Sequence, residues 1–267
     1  RRLGSSATYL FQDGVRYWYS TQATVTKVAD DLAEQYKREP DRVVEGIEER
    51  LRADLRQTGD FRRIHVSPAT GADVPDDMDA RLVVLSPEHA YSKDLANKAS
   101  AKAAEILGQR GSGPRLFQNS LIFLAVDLTR LQDLDEAVRR HLAWKTILDE
   151  KVERNLDPLQ VRQAEAQLKS VDASVTARLP EAYQWLLAPT QPKPGDPIKW
   201  EAFRLSGQEG LAARASKKLR SEELLFPSMA GTRLRMELDK VPLWRGDHVA
   251  VRQLAEDFAR YLYLPRL

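Results

Sequence analysis

Leu121-Ile122-Phe123-Leu124-Ala125-Val126 is an apolar run with no polar alternation. A strand of this kind has no face to offer water, so it belongs inside a mostly parallel sheet that is covered on both sides. The rest of the middle of the chain reads outward from it. Gly111-Ser112-Gly113-Pro114 breaks the chain just before, and a long helix follows with Leu131, Leu134, Val138, Leu142 and Leu148 as its apolar stripe. Upstream, Ile64-His65-Val66 and Arg81-Leu82-Val83-Val84-Leu85 read as short strands around a Pro/Asp/Gly loop at 68–79, and 87–107 reads as an Ala-rich helix. Downstream, Asp157-Pro158 opens a helix running to Leu168 with proline in its first turn, and 178–188 reads as a last strand. Strands alternating with helices predict an α/β unit over 61–190.

Two further regions flank that unit. Tyr9 to Tyr19 carries a hairpin signal, because Asp13-Gly14 supplies the positive φ of a tight turn between β-forming residues. Ser20 or Thr21 can cap a helix bearing Val25, Val28, Leu32 and Tyr36, and a second helix bears Val43, Ile47, Leu51 and Leu55 before Gly59. Residues 1–60 are thus a β-hairpin plus a helical pair. The proline-rich stretch 191–197 reads as a stiff linker. Beyond it, 198–267 is a small mixed α/β appendage, winged-helix-like or lid-like, with strands at 198–205 and 233–238, a basic helix through Arg220 and a helix at 249–262.

Composition narrows the chemistry. The 267 residues contain no cysteine, which excludes disulfides, thiolate nucleophiles and cysteine-ligated metals, and fits a reducing cytoplasm. Lys and Arg number 41 against 39 Asp and Glu, so any basic footprint must be local. No apolar run approaches the roughly 20 residues of a membrane span. The beginning, Arg1-Arg2-Leu3, reads as an internal segment of something longer.

Candidate chemistry is sparse. Gly111-Ser112-Gly113 has the glycine density of a phosphate loop but lacks the Gly-Lys-Ser/Thr ending. Asp127 ends the central strand, where an NTPase places a magnesium-binding carboxylate, yet Leu128 follows in place of a second acid, and capping of the next helix is the competing role. Arg115, Asn119 and Asp127 flank the same strand and are candidates for ligand proximity, since open α/β sheets bind ligands at strand ends. His65, His89, His141 and His248 show no metal-ligand spacing, so no metal is expected. Arg214, Lys217, Lys218 and Arg220 lie at helical spacing and are candidates for nucleic-acid phosphate contact. A solvated face balanced by Glu222 and Glu223 is the alternative, with Leu211 and Leu219 docking the helix.

Several stretches together resemble one family. They are Tyr9-Leu10-Phe11-Gln12-Asp13-Gly14-Val15-Arg16-Tyr17-Trp18-Tyr19, Gly113-Pro114-Arg115-Leu116-Phe117-Gln118-Asn119-Ser120, Ala215-Ser216-Lys217-Lys218-Leu219-Arg220, Gly231-Thr232-Arg233-Leu234-Arg235-Met236-Glu237-Leu238, and the ending Tyr261-Leu262-Tyr263-Leu264-Pro265-Arg266-Leu267. The resemblance is to the large prokaryotic AAA-type ATP-binding proteins of anti-phage defence clusters, domain of unknown function family four-nine-nine. It implies an ATPase domain upstream in the same chain, ATP and magnesium as cofactors of the full-length protein, and a DNA methylase encoded nearby. The segment itself has no P-loop, so it is expected to hold no cofactor. Three readings follow: a non-catalytic coupling, partner-contacting or DNA-contacting segment of a defence ATPase; a cryptic nucleotide-dependent enzyme in the α/β unit; or an oligomerisation scaffold.

Overall fold

The computed structural model describes residues 10–13, 15–19, 24–94, 97–241 and 243–267. The chain divides into two compact units, one made of Arg1–Arg50 and Gln132–Leu179, the other of Leu51–Leu131 and Pro180–Leu267.

The first unit is helical with a hairpin. Strands β1 (Leu10–Asp13) and β2 (Arg16–Tyr19) pair antiparallel, with Asp13 opposite Arg16. Asp13 is therefore a strand residue instead of a turn residue, and Gly14 lies outside the described residues, as do Ser20 and Thr21. The cap of α1 (Val25–Tyr36) is Thr24, whose hydroxyl accepts from the Lys27 amide at 3.3 Å. Helix α2 (Pro40–Asp54) buries Val43, Ile47 and Leu51, and Leu55 is buried just past its end, the stripe the periodicity predicts. Helices α4 (Leu128–Asp149) and α5 (Pro158–Ala182) complete the set, and Val25, Ala29, Trp144, Ile147 and Ala164 form the unit's core. Gly46 faces α4 at close range: a Cβ there would lie 2.9 Å from Val138 Cγ1, inside any ordinary contact. The α5 start is a reciprocal cap, in which Asp157 Oδ1 accepts from the Leu159 and Gln160 amides while Gln160 Oε1 accepts from the Asp157 amide.

The second unit is built on a five-stranded sheet in the order β3 (Arg63–Val66), β4 (Arg81–Val84), β5 (Leu121–Val126), β6 (Tyr183–Thr190) and β7 (Lys199–Arg204). The first three run parallel and the last two add antiparallel, giving a mixed sheet within an α/β fold. All side chains of β5 are fully buried, as its unbroken apolar run requires. Leu121, Phe123 and Ala125 pack against Ala99, Ala103, Ile106 and Leu107 of α3 (Lys98–Gly108), and Trp200 meets the Phe123 ring edge-on at 5.6 Å between centroids. Three helices follow the sheet: α6 (Leu211–Ser221), α7 (Gly231–Lys240) and α8 (Val251–Arg260).

Four expectations are revised by this architecture. Residues 191–197 connect β6 to β7, so they join neighbours within one sheet, and 199–204 extends the central sheet instead of opening an appendage. Residues 233–238 are helical, not a strand. The alternation of Leu234, Met236 and Leu238 is contradicted by Met236, which is 64% exposed, whereas Arg233 to Glu237 and Arg235 to Asp239 form i,i+4 ion pairs suited to a helix of good helix formers. Residues 178–182 continue α5, and β6 starts only at Tyr183. The expected 87–107 helix is split into a short 3-10 turn at Pro87–His89, capped by Ser86, and α3, capped by Asn97 through the Ala99 and Ser100 amides.

Candidate functional site

The carboxyl end of β5 is where the fold rule places a ligand, and there Asp127 is fully engaged. Its Oδ1 accepts from the Thr129 amide at 2.8 Å and the Thr129 hydroxyl at 2.7 Å, capping α4. Its Oδ2 accepts from Gln184 Nε2 and Trp185 Nε1, both at 2.8 Å. Gln184 is itself held by Arg204 Nε at 2.7 Å, and the Trp185 ring lies 4.5 Å from that of Tyr91. Burial alone would raise the Asp127 carboxyl, but these donors outweigh it and hold it below the ordinary carboxylate range. With its oxygens already occupied, Asp127 is a helix cap and strand tie, the alternative role that the sequence carried.

Arg115 and Asn119 lie at the opposite end of β5, so the three ligand-proximal candidates are not brought together. Roughly 20 Å of strand separates the ends, at about 3.3 Å per residue. Arg115 donates to five backbone carbonyls, those of Gly71, Val74, Pro75, Ile106 and Gln109, and its side chain is wholly buried. Asp76 answers in the other direction: its oxygens accept from the Leu116 amide at 2.8 Å and the Phe117 amide at 2.9 Å. Burial pulls the Arg115 guanidinium down from its ordinary value, with Asp76 opposing. This reciprocal stitching closes the 71–76 loop against the segment preceding β5. Gly71 permits it, because a Cβ there would lie 2.0 Å from the Gln109 carbonyl oxygen.

Asn119 is fully buried and donates through Nδ2 to the carbonyls of Phe258, 2.8 Å, and Leu264, 2.9 Å, pinning the end of α8 to the sheet. Its Oδ1 has no hydrogen-bond partner. Nearby, Arg266 is buried and donates to the Pro189 carbonyl at 2.6 Å, while its Nε is unpaired. Burial lowers this guanidinium to about 10. Both residues line a cavity of about 260 Å³ that is also bounded by Met78, Asp79, Ala255 and Phe258. Nothing in the local spacing of Asn119 or Arg266 announced this convergence, since their partners are distant backbone carbonyls.

The basic helix α6 is internally paired. Arg214 is buried and donates to the Pro180 carbonyl at 3.0 Å, and burial lowers its guanidinium against the opposing pull of Asp54 and Glu209. Lys217 pairs with Glu209 at 3.2 Å, Lys218 with Glu222, and Arg220 with Asp60 at 3.4 Å. The four charges therefore do not form one open basic face. Leu211 and Leu219 are fully buried and dock the helix. The histidines are likewise dispersed. His141 sits between Arg50 and Asp172, and His65 Nε2 accepts from Arg81 Nη1 at 3.2 Å.

Comparison with known proteins returns no matching family model, no matching curated protein and no matching solved structure. Among the described residues, no helix is long and apolar enough to cross a membrane.

Proposed function

We propose that this chain is a non-catalytic coupling module that relays conformational change between an ATPase domain elsewhere in a larger protein and a protein partner. The observation that carries this reading is connectivity. The chain passes from one compact unit to the other after Arg50, after Leu131 and after Leu179, and each passage falls inside a continuous helix, α2, α4 or α5. A helix resists bending through its ladder of backbone hydrogen bonds, so such passages suit a relay better than flexible linkers do. Two further features support it. The candidate catalytic groups Asp127 and Arg115 are committed to internal hydrogen bonds. The pairing of Lys217, Lys218 and Arg220 with carboxylates favours a protein partner over DNA as the contact.

Incubating residues 1–267 with ATP and magnesium tests the non-catalytic half: no turnover is expected, and turnover abolished by Asp127→Ala would overturn it. In the ATPase-bearing full-length protein, the relay predicts that nucleotide changes the protease sensitivity of residues 180–267. Leu131→Pro, which breaks α4 at a passage, should erase that nucleotide dependence while hydrolysis persists. Protection patterns indifferent to nucleotide in the unsubstituted protein would reject the relay.

A further inference from the structure

The sheet of the second unit ends on β7, which leaves one row of its backbone groups unused. Strand β6 decides which row. Pro189 has no N–H to give and its carbonyl accepts from Arg266, while the Gln191 amide just past the strand donates to the Leu262 carbonyl at 3.1 Å, so these positions turn away from β7. The positions between them turn toward it: the Gln184 carbonyl accepts from the Leu205 amide at 2.7 Å, and in the same phase Leu186, Ala188 and Thr190 face Phe203, Glu201 and Lys199. Trp200, Ala202 and Arg204 therefore direct both N–H and C=O outward, where no described residue bonds them. Natural edges are shielded by proline, a bulge, shortness or a covering element. β7 runs through six residues in unbroken register without proline, and its Glu201, Ala202 and Arg204 are exposed.

We propose that β7 pairs antiparallel with β7 of a second copy of this chain, about a two-fold axis at Ala202, so that one sheet runs through both copies. In the register that uses every outward residue, Ala202 faces Ala202 of the second copy and Trp200 faces Arg204, and each facing pair exchanges two N–H···O=C bonds. The strand's own side chains select a second copy. Arg204 makes no ion pair among the described residues; its Nε is held by Gln184 at 2.7 Å, and this register sets its guanidinium against the half-buried Trp200 ring of the other copy. Ala202 is small enough to face itself at the axis. On the opposite face, Glu201 of one copy meets Phe203 of the other, beside the Lys218 ammonium that lies 5.3 Å from that ring. The two-fold repeats both matches, which an unrelated strand would not supply. This interface is independent of the coupling reading and stands or falls separately from it.

Sedimentation velocity of the 267-residue chain reads the pairing. One short ladder is a small interface, so association is expected at about 10–100 μM. Across that range the 30.3 kDa species should give way to one of twice the mass. Ala202→Lys sets like charges face to face at the axis and should weaken association about tenfold or more, with the melting midpoint of the dilute chain unchanged. Ala202→Pro removes an outward N–H that β6 does not use and should do the same; if it folds poorly, the lysine variant at this exposed position carries the test. Cysteine reads the register, since the chain has none of its own. Ala202→Cys places two thiols at a Cα separation of about 5.5 Å, within disulfide reach, and should cross-link under mild oxidation, whereas Lys199→Cys leaves them roughly 20 Å apart and should not. A 30.3 kDa species at every concentration would overturn the proposal and leave the edge to an extended segment of a different protein. Dimers that survive Ala202→Lys, or Lys199→Cys cross-linking as readily as Ala202→Cys, would overturn it as well.

Discussion

At the carboxyl end of β5 the Asp127 carboxylate accepts from Thr129, Gln184 and Trp185, whereas at the amino end Asn119 and Arg266 each keep a buried polar atom without a partner. Open α/β sheets place their ligands outside the carboxyl ends of the strands. Here that end is closed by internal hydrogen bonds, and the unpaired atoms at the other end are sealed from solvent. The contrast teaches that a fold-level rule names a place to look, while the inventory of paired and accessible atoms says what a place can still bind.

The largest effects should come from the amino end and the strand itself. Arg115→Met strands five carbonyls and removes one cation facing Asp76, which keeps the Leu116 and Phe117 amides and Arg110, and should destabilise by about 3–5 kcal/mol, the range for removing one partner of a buried ionic network. Chemical denaturation reads it directly, and an unchanged midpoint would show that water takes over those carbonyls. Phe123→Ala, midway between the ends, should cost about 3–5 kcal/mol as a large core deletion. It serves as the reference against which both ends are scaled.

Asp127→Asn comes next, at roughly 1–3 kcal/mol, because the new amide would face donors of Gln184 and Trp185 with a donor of its own. Its pH dependence has a fixed sign. The folded carboxyl titrates below its ordinary value of 3.8, so its contribution is present above that value and disappears as pH falls through the lower folded value. The stability gap between the unsubstituted chain and Asp127→Asn should therefore be widest near neutrality and close under strongly acid conditions. A gap that stays constant into acid would mean that Asp127 acts through shape and not charge. The smallest effect belongs to Lys217→Gln with Lys218→Gln on α6: exposed pairs contribute little, and the denaturation midpoint should not move measurably.

The strength of the sequence signal varied with its physical range. The β5 run was legible because double-sided burial dictates composition residue by residue, and the α2 stripe because a helix repeats its buried face every third or fourth position. The α7 segment was misread because Leu, Met, Arg and Glu alternate by chance at period 2 while their propensities favour a helix. The 191–197 stretch looked like a boundary because proline excludes regular structure locally, and a local signal cannot report that the strands on either side pair. The roles of Arg115 and Asn119 were illegible for a related reason. Their partners are backbone carbonyls up to 145 residues away, which leave no trace in side-chain spacing.

β5 and β6 are adjacent strands, yet residues 127–182 separate them in the chain, with the Asp127 amide bonding back to the Ala182 carbonyl at 2.8 Å. The sheet therefore cannot be completed by local zippering, and non-local pairing of this kind slows folding. Helices α4 and α5, which share the core around Trp144, Ile147 and Ala164, offer a way round. If that helical pair forms first, it brings the two strand ends together and spares most of the chain entropy of closing so long a loop. Order of assembly would then run from the helical excursion to the sheet, with the pairing of β5 and β6 as its late and rate-limiting event.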